Sequence, residues 1–493
     1  MGRRFDREGW LASFRGMPRL PADLYRRWLG AAFPPPALHE GFVPPERWLQ
    51  QIWRYQRLRR DALRTLDGEA LTVLHPGFWN RAAGPDFHGA ILRFGGAAAV
   101  RGDVEIDLVP SGWRGHRHAG NPAYHGVVLH VVWDARQDAA GRPAMALREH
   151  LDAPLAELAP WLCSDAPRLL PDNVRGQCVA PLQGLSPGTL GEIVRQAALA
   201  RLARKSGAFA ARARHAGWHR ALWEGLLGGL GFRHNVWPMR RVAELLGPDD
   251  NPSPGDVVAA QACLLGVAGL LPADSAARHP TQFRALWDRW WHERDRFHGL
   301  ILPADAWRLG GVRPANHPQR RLALAAHWMS AGPPFGALDG WMADAGDARE
   351  TAESLRRILG AGPDDFWERH WTLESPALAA GQPLLGHSRA TDLAVSVVLP
   401  WLLARAAAGG DPAMRQRVEE RYLDWPAGED NAVLRLARQR LLGGARRVLP
   451  ATAATQQGLI GLAQDFCAHA DALCTGCRLP DLVRGLAPVG VPG

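Results

Sequence analysis

Apolar residues recur along this chain at more than one spacing, and each spacing predicts a different kind of segment. Trp10, Leu11 and Phe14, and then Leu24, Trp28 and Leu29, fall at helical intervals before FPPPALHEGFVPP, whose three consecutive prolines cannot continue a helix. Trp48, Leu49, Ile52 and Trp53 share one face of a helix expected from Glu46 to about Arg59. Between Leu66 and Asp134 the runs shorten to LTVLH, GAILRFGG, AAVRGDVEIDLV and HGVVLHVVWDA, rich in β-branched residues and separated by Gly, Pro and Asn. These are strand signals at hairpin spacing. HGVVLHVVWDA is apolar on both parities, as a central strand covered on both faces requires. From about Pro187 onward, helical periodicity dominates through stretches such as LGEIVRQAALARLARKSGAFAARARHAG, VVAAQACLLGVAGLL and TDLAVSVVLPWLLARAAA. No fixed repeat period is present, which argues against a solenoid.

Helix, then strands, then many helices is the order of an α+β protein. The expected division is a helical extension and Pro-rich linker over 1–45, an α/β module over 46–185, a helical domain over 186–450, and a C-terminal helix with a cysteine cluster over 451–493. A chain of 493 residues with 47% hydrophobic and 22% charged residues is globular in composition. No window approaches about 18 uninterrupted apolar residues, and the N-terminus lacks the apolar core of a secretory leader. Six cysteines are too few for a disulfide scaffold of this length. A cytoplasmic protein without a membrane span is the expectation. The net charge of +9 fits an anionic partner such as nucleic acid, but Lys205 is the sole lysine among 58 basic residues. That arginine bias accompanies abundant Ala, Gly and Pro and reads as genomic composition, so arginine number alone argues little for nucleic acid.

Candidate chemistry concentrates between His75 and His130. Asp86 precedes one strand, and Glu105 and Asp107 lie on the next, where alternation points both to one face. If those two strands form a hairpin, Asp86 lies near the end of the second, and two or three carboxylates converge. Such a group repels itself unless a cation joins it, and hard oxygen ligands favour Mg²⁺ or Mn²⁺. On a solvated strand the same residues would be ordinary surface polarity and a turn cap. His116, His118, His125 and His130 offer a rival zinc site, ranked lower because single histidines are usually structural. Arg201–Lys205, Arg313–Pro318 and His387–Arg389 read as solvated faces or helix caps. No Walker loop, dinucleotide fingerprint or G-x-S-x-G elbow is present.

A second cluster, Cys467, Cys474 and Cys477, has the spacing C-x6-C-x2-C, which brings thiolates within reach of zinc or an iron–sulfur cluster. The same opening spacing occurs in iron–sulfur DNA glycosylases, whose fourth cysteine is missing at the corresponding place here. His469, Asp471 and Cys178 are the alternatives for completing the set.

The carboxylate pattern resembles the PD-(D/E)xK nuclease superfamily. That resemblance implies a restriction-endonuclease-like mixed sheet, with Asp86 and Glu105 as metal ligands. Asp107 occupies the position of the water-activating lysine, so that role is either absent or taken by another group, with His116, His118, His130 and Asp107 itself as candidates. Longer stretches, among them IWRYQRL, TLDGEALTVLHPGFWNRAAGPDF, GDVEIDLVPSGWRGHRHAGNPAYHGVVLHVVW, GFRHNVWPM and RPANHPQRRLALAA, resemble an uncharacterised bacterial family, domain of unknown function 2851, over residues 46–478. In that family position 107 is usually His, and this chain departs from it there. The expected function is metal-dependent nuclease action on, or binding to, DNA. The alternative is a non-catalytic scaffold that binds a protein partner and keeps a degenerate sheet.

Overall fold

The computed structural model describes residues 20–34, 39, 41–80, 82–109, 111, 113, 120–134, 142–162, 174–232, 234–250, 253–271, 280–332, 334–343, 346–444, 449–467 and 470–486. The expected helix around Trp10, Leu11 and Phe14 lies outside them. Helix α1 is Leu24–Ala32, and α2 is Glu46–Tyr55. Pro45 stands before the first turn of α2, and Trp48, Leu49, Ile52 and Trp53 are all buried. The helix ends before Arg59 because Gln56 turns left-handed, at φ 49°, and its N–H closes on the carbonyls of Ile52 and Trp53.

The sheet contains β1 (Leu71–His75), β2 (Phe78–Trp79), β3 (Phe87–Phe94), β4 (Val100–Asp107), β5 (Val127–Val132) and β6 (Ala144–Ala146). Its order is β1-β3-β4-β5-β6, with β2 paired to β3. As expected, β3 and β4 are antiparallel, with Phe87 opposite Val104. Strand β5 is interior, between β4 and β6. Hairpin spacing fails at one step, since β4 and β5 are parallel, with Glu105 beside His130 and Asp107 beside Val132. Parallel neighbours need a crossover, whose described part includes the short turn Pro122–Tyr124 before β5. Val104, Ile106, Leu129 and Val131 pack with the apolar face of α2. Leu74 and Ile91 instead join the core of the helical region, so sheet and helices share buried surface. Arg60 Nε donates to Glu244 Oε1 at 2.6 Å across that junction.

The helical region begins with α3 (Pro187–Ala216), started by Pro187 and by the Ser186 hydroxyl, which accepts from Thr189 N. Helices α4 (Trp218–Leu230), α5 (Val236–Leu245), α6 (Val257–Val267) and α7 (Pro318–Ala331) follow. His317 caps α7 by accepting from Gln319 N, the role its position suggested. Farther on lie α8 (Leu399–Ala408), α9 (Ala432–Leu442) and α10 (Ala453–Phe466). His387–Ala408 is long and apolar enough to cross a membrane, and 78% of its most apolar window is buried within the fold.

The basic run on α3 corrects the solvated-face expectation. Arg204 Nη2 donates to Asp465 Oδ2 on α10 at 2.7 Å, and Arg201 Nε donates to Gln457 Oε1 at 2.7 Å. Lys205 Nζ reaches Ser396 Oγ at 3.0 Å. Helical spacing turns these cations inward because α10 and the neighbouring chain supply polar partners. Tyr25 of α1 adds its hydroxyl to Asp465 Oδ2 at 2.7 Å, tying the N-terminal segment to the same network.

Helices α3 and α10 are in close contact at Gly458, where an added Cβ would stand 2.1 Å from the Val194 carbonyl oxygen. Replacing Gly458 with Ala should force the helices apart and destabilise the fold by about 1–3 kcal/mol in chemical denaturation. Gly336→Ala is the control, since nothing lies within 4 Å of its added Cβ. Equal midpoints for the two variants would contradict the close-packing explanation.

Candidate active site

The end of β4 gathers side chains from three directions. Glu105 and Asp107 share the face opposite Val104 and Ile106, and parallel pairing sets His130 beside Glu105. Asp86 arrives on the segment entering β3. That turn is braced by Asn80, whose Nδ2 donates to the Pro85 carbonyl at 3.0 Å and whose own N–H donates to the Asp86 carbonyl at 2.7 Å. Asp86 N then donates to Glu105 Oε2 at 3.2 Å, while Asp86 Oδ2 accepts from Ile106 N at 3.0 Å. The first turns of α2 supply two further groups. Gln50 Nε2 donates to Asp86 Oδ1 at 2.8 Å and to Glu46 Oε1 at 3.2 Å.

Burial and mutual repulsion govern this group. Burial, then the Glu46 and Asp107 charges, push Asp86 up to about 7 against the opposing bonds from Ile106 and Gln50. Glu105 is pushed up to about 8 by burial and by Asp86, Asp107 and Glu46. Tyr124, from the crossover turn, is raised by burial and by the charges of Glu105, Asp86 and Asp107, which puts it in the same field. Asp107 Oδ2 and His130 Nε2 are 2.9 Å apart, and both side chains are buried. Trp113 covers this pair, its ring 5.6 Å from that of His130 and edge-on to Tyr124 at 6.0 Å. The Arg142 guanidinium lies over Trp113 at 4.5 Å.

Buried carboxylates that hold protons near neutral pH are a destabilised anionic site, and a divalent cation relieves that repulsion. Among the described residues, no three His, Cys, Asp or Glu side chains are grouped closely enough to hold an ion unaided. Asp86 and Glu105 offer oxygen donors only, the donor type that hard ions take.

Of the candidates read from sequence, Asp86, Glu105, Asp107 and His130 come together. His116 and His118 lie outside the described residues, and His125 is exposed on the turn before β5. Sequence reading missed Glu46, Gln50 and Tyr124. The i, i+4 spacing of Glu46 and Gln50 puts both on one helix face, but an acidic first helical residue otherwise reads as a dipole cap. A cleft of about 750 Å³ lined by Arg59, Arg148, Arg214, His215 and Trp133 shares no residue with the acidic group.

A profile described as a protein of unknown function, DUF2851, matches residues 46–431. The chain belongs to that family. The DUF2851 match includes Glu46, Gln50, Asp86, Glu105, Asp107, Tyr124, His130 and Cys178, and it ends before Cys467, Cys474 and Cys477. No curated protein and no solved structure matches the chain.

The raised carboxylates make stability depend on pH. Unfolded Glu loses its proton near 4.3, whereas folded Glu105 keeps it to about 8, so the folded state binds the extra proton across that interval. Stability without divalent ions should fall as pH rises from about 5 to 8. Glu105→Gln should flatten that slope and stabilise the protein at pH 8 by about 1–2 kcal/mol after allowance for solvent screening. Urea midpoints at both pH values measure it, and a variant less stable than wild type at pH 8 would contradict the electrostatic account.

Proposed function

We propose that this member of DUF2851 is a divalent-metal-dependent phosphodiesterase of nuclease type that acts on DNA. The observation supporting it is the buried acidic group at the end of β4, where the Asp86 N–H donates to Glu105, the Asp86 charge raises the proton affinity of Glu105, and the Glu46 and Asp107 charges raise that of Asp86. Asp86 and Glu105 would hold Mg²⁺ or Mn²⁺, which when bound supplies a polarised water and neutralises phosphate charge. Gln50 and the Ile106 N–H fix the two oxygens of Asp86, so the carboxylate is oriented before any ligand arrives. Asp107, in the place of the lysine of the PD-(D/E)xK pattern, is hydrogen-bonded to His130. That pair is the candidate acid–base group, with His130 Nε2 held by the Asp107 carboxylate. Arg142, stacked over Trp113, is the cation suited to a phosphate oxygen.

Purified protein should nick plasmid DNA with Mg²⁺ or Mn²⁺. Glu105→Ala should lower the rate at least about 100-fold, while Gln50→Leu, one shell out, should lower it about 10–100-fold. Because Asp86 and Glu105 must shed protons to hold the ion, the rate at limiting Mg²⁺ should rise between about pH 6 and 9. Undiminished cleavage by Glu105→Ala would move the chemistry elsewhere. Absence of both cleavage and calorimetric Mg²⁺ binding would favour the scaffold alternative.

A further inference from the structure

Two phenylalanines stand in solvent where the sheet meets the helical region, each beside an arginine. Phe78 on β2 is 41% exposed, and the Arg308 guanidinium lies over its ring, 5.3 Å from the centre. Phe232 is 48% exposed, and the Arg389 guanidinium lies over its ring at 4.9 Å. Asn235 connects the two pairs. Its Nδ2 donates to the Arg308 carbonyl at 3.0 Å, and its Oδ1 accepts from Arg308 N at 2.8 Å. Its own N–H donates to the Gly231 carbonyl at 3.1 Å, closing the turn that carries Phe232.

Neither ring is in the core, and each is placed by the backbone. Trp79 stacks on Phe87, which packs with Val104 toward α2. Alternation therefore turns Phe78 to the opposite face, the one that carries Glu105 and Asp107. Strand β2 also leads directly into the Asn80 turn that braces Asp86. Phe232 follows Gly231, the residue that closes α4, and has φ 48°. That left-handed position after a helix normally holds glycine, because a Cβ strains it. A phenylalanine there adds strain and leaves half its surface in water, the mark of a side chain kept for presentation. The two arginines differ in their ties. Arg389 is held by Asp392 at 3.2 Å and by Asn316 Oδ1 at 3.4 Å, so it supports the Phe232 ring. Arg308 is exposed and pairs with no carboxylate among the described residues.

We propose that these two pairs form a binding track for an unpaired DNA strand leading to the acidic group, with Phe78 and Phe232 stacking bases and Arg308 contacting phosphate. The track deepens the phosphodiesterase reading and rests on it for the chemistry at β4. Inside a duplex each base is already covered by its neighbours, so a protruding ring gains a stacking partner only from a base outside the helix. Every base has a π face, so such a track favours single strands and tolerates any sequence. The free charge of Arg308 attracts the phosphate backbone on the sheet face where the carboxylates repel it.

Fluorescence anisotropy tests this with the full chain and a labelled strand of about 20 nucleotides, in low salt with chelator to prevent cleavage. Wild type should bind the single strand at least about tenfold more tightly than the matched duplex. Phe232→Gly should weaken single-strand binding about 5–100-fold, the loss of one stacked base, without lowering the thermal midpoint, since glycine suits the left-handed backbone. Phe78→Ser should weaken binding comparably, and Arg308→Gln should lower the slope of log affinity against log salt by about 0.7. Leu473→Ser, at an exposed apolar residue beside Gln177, is the control and should bind as wild type does. Equal wild-type affinity for strand and duplex would overturn the proposal, as would undiminished binding by Phe232→Gly or Phe78→Ser. Binding is measured without metal, so a protein that prefers the single strand but never nicks plasmid counts against the phosphodiesterase reading alone. A protein that nicks plasmid but shows no strand preference counts against the track alone.

Discussion

Parallel pairing of β4 with β5 is the constraint on which the acidic site depends. Had the two strands formed a hairpin, the chain would have turned back directly after Asp107, with no crossover to carry Trp113 and Tyr124 to this end of the sheet. The parallel register instead sets His130 next to Glu105 and makes the connecting segment a crossover. That crossover carries Trp113 and Tyr124 to the carboxylates. The Asp107–His130 hydrogen bond and the aromatic cover of Trp113 both follow from one choice of strand direction. Helix α2 completes the enclosure because its apolar face lies on the same sheet, which brings Glu46 and Gln50 to Asp86.

Much of the fold can be read from the chain because its signals are local. The helix beginning at Glu46, the strands around GAILRFGG and GDVEIDLV, and the change to helical periodicity near Pro187 all appear where apolar spacing puts them. Strand direction does not follow from spacing, since antiparallel and parallel neighbours present the same alternation. Helix ends are also set by tertiary detail, as at Gln56, where a left-handed residue stops α2 earlier than periodicity does.

The acidic site was half legible. Glu105 and Asp107 share a face by strand alternation alone, and antiparallel pairing of β3 with β4 accounts for Asp86. Glu46 and Gln50 belong to a helix whose approach to the sheet no local pattern specifies. The run Arg201–Lys205 is the opposite case. A basic helical stretch looks solvated until Asp465, Gln457 and Ser396 are seen to face it. Polar partners hundreds of residues away leave no trace near the residues they satisfy.

The enclosed Lys205 also gives the molecule an internal gauge of its own opening. As the sole lysine, it offers a lysine-specific protease a single peptide bond, and that bond lies inside the 30-residue helix α3. A protease must bind an extended segment, so cutting after Lys205 requires the middle of α3 to unwind from α10. With protease in slow excess, the appearance of two fragments follows the population of that open form rather than surface nicking. A composition that stripped the chain of lysine thus leaves its central helix as the only place where such a cut can register.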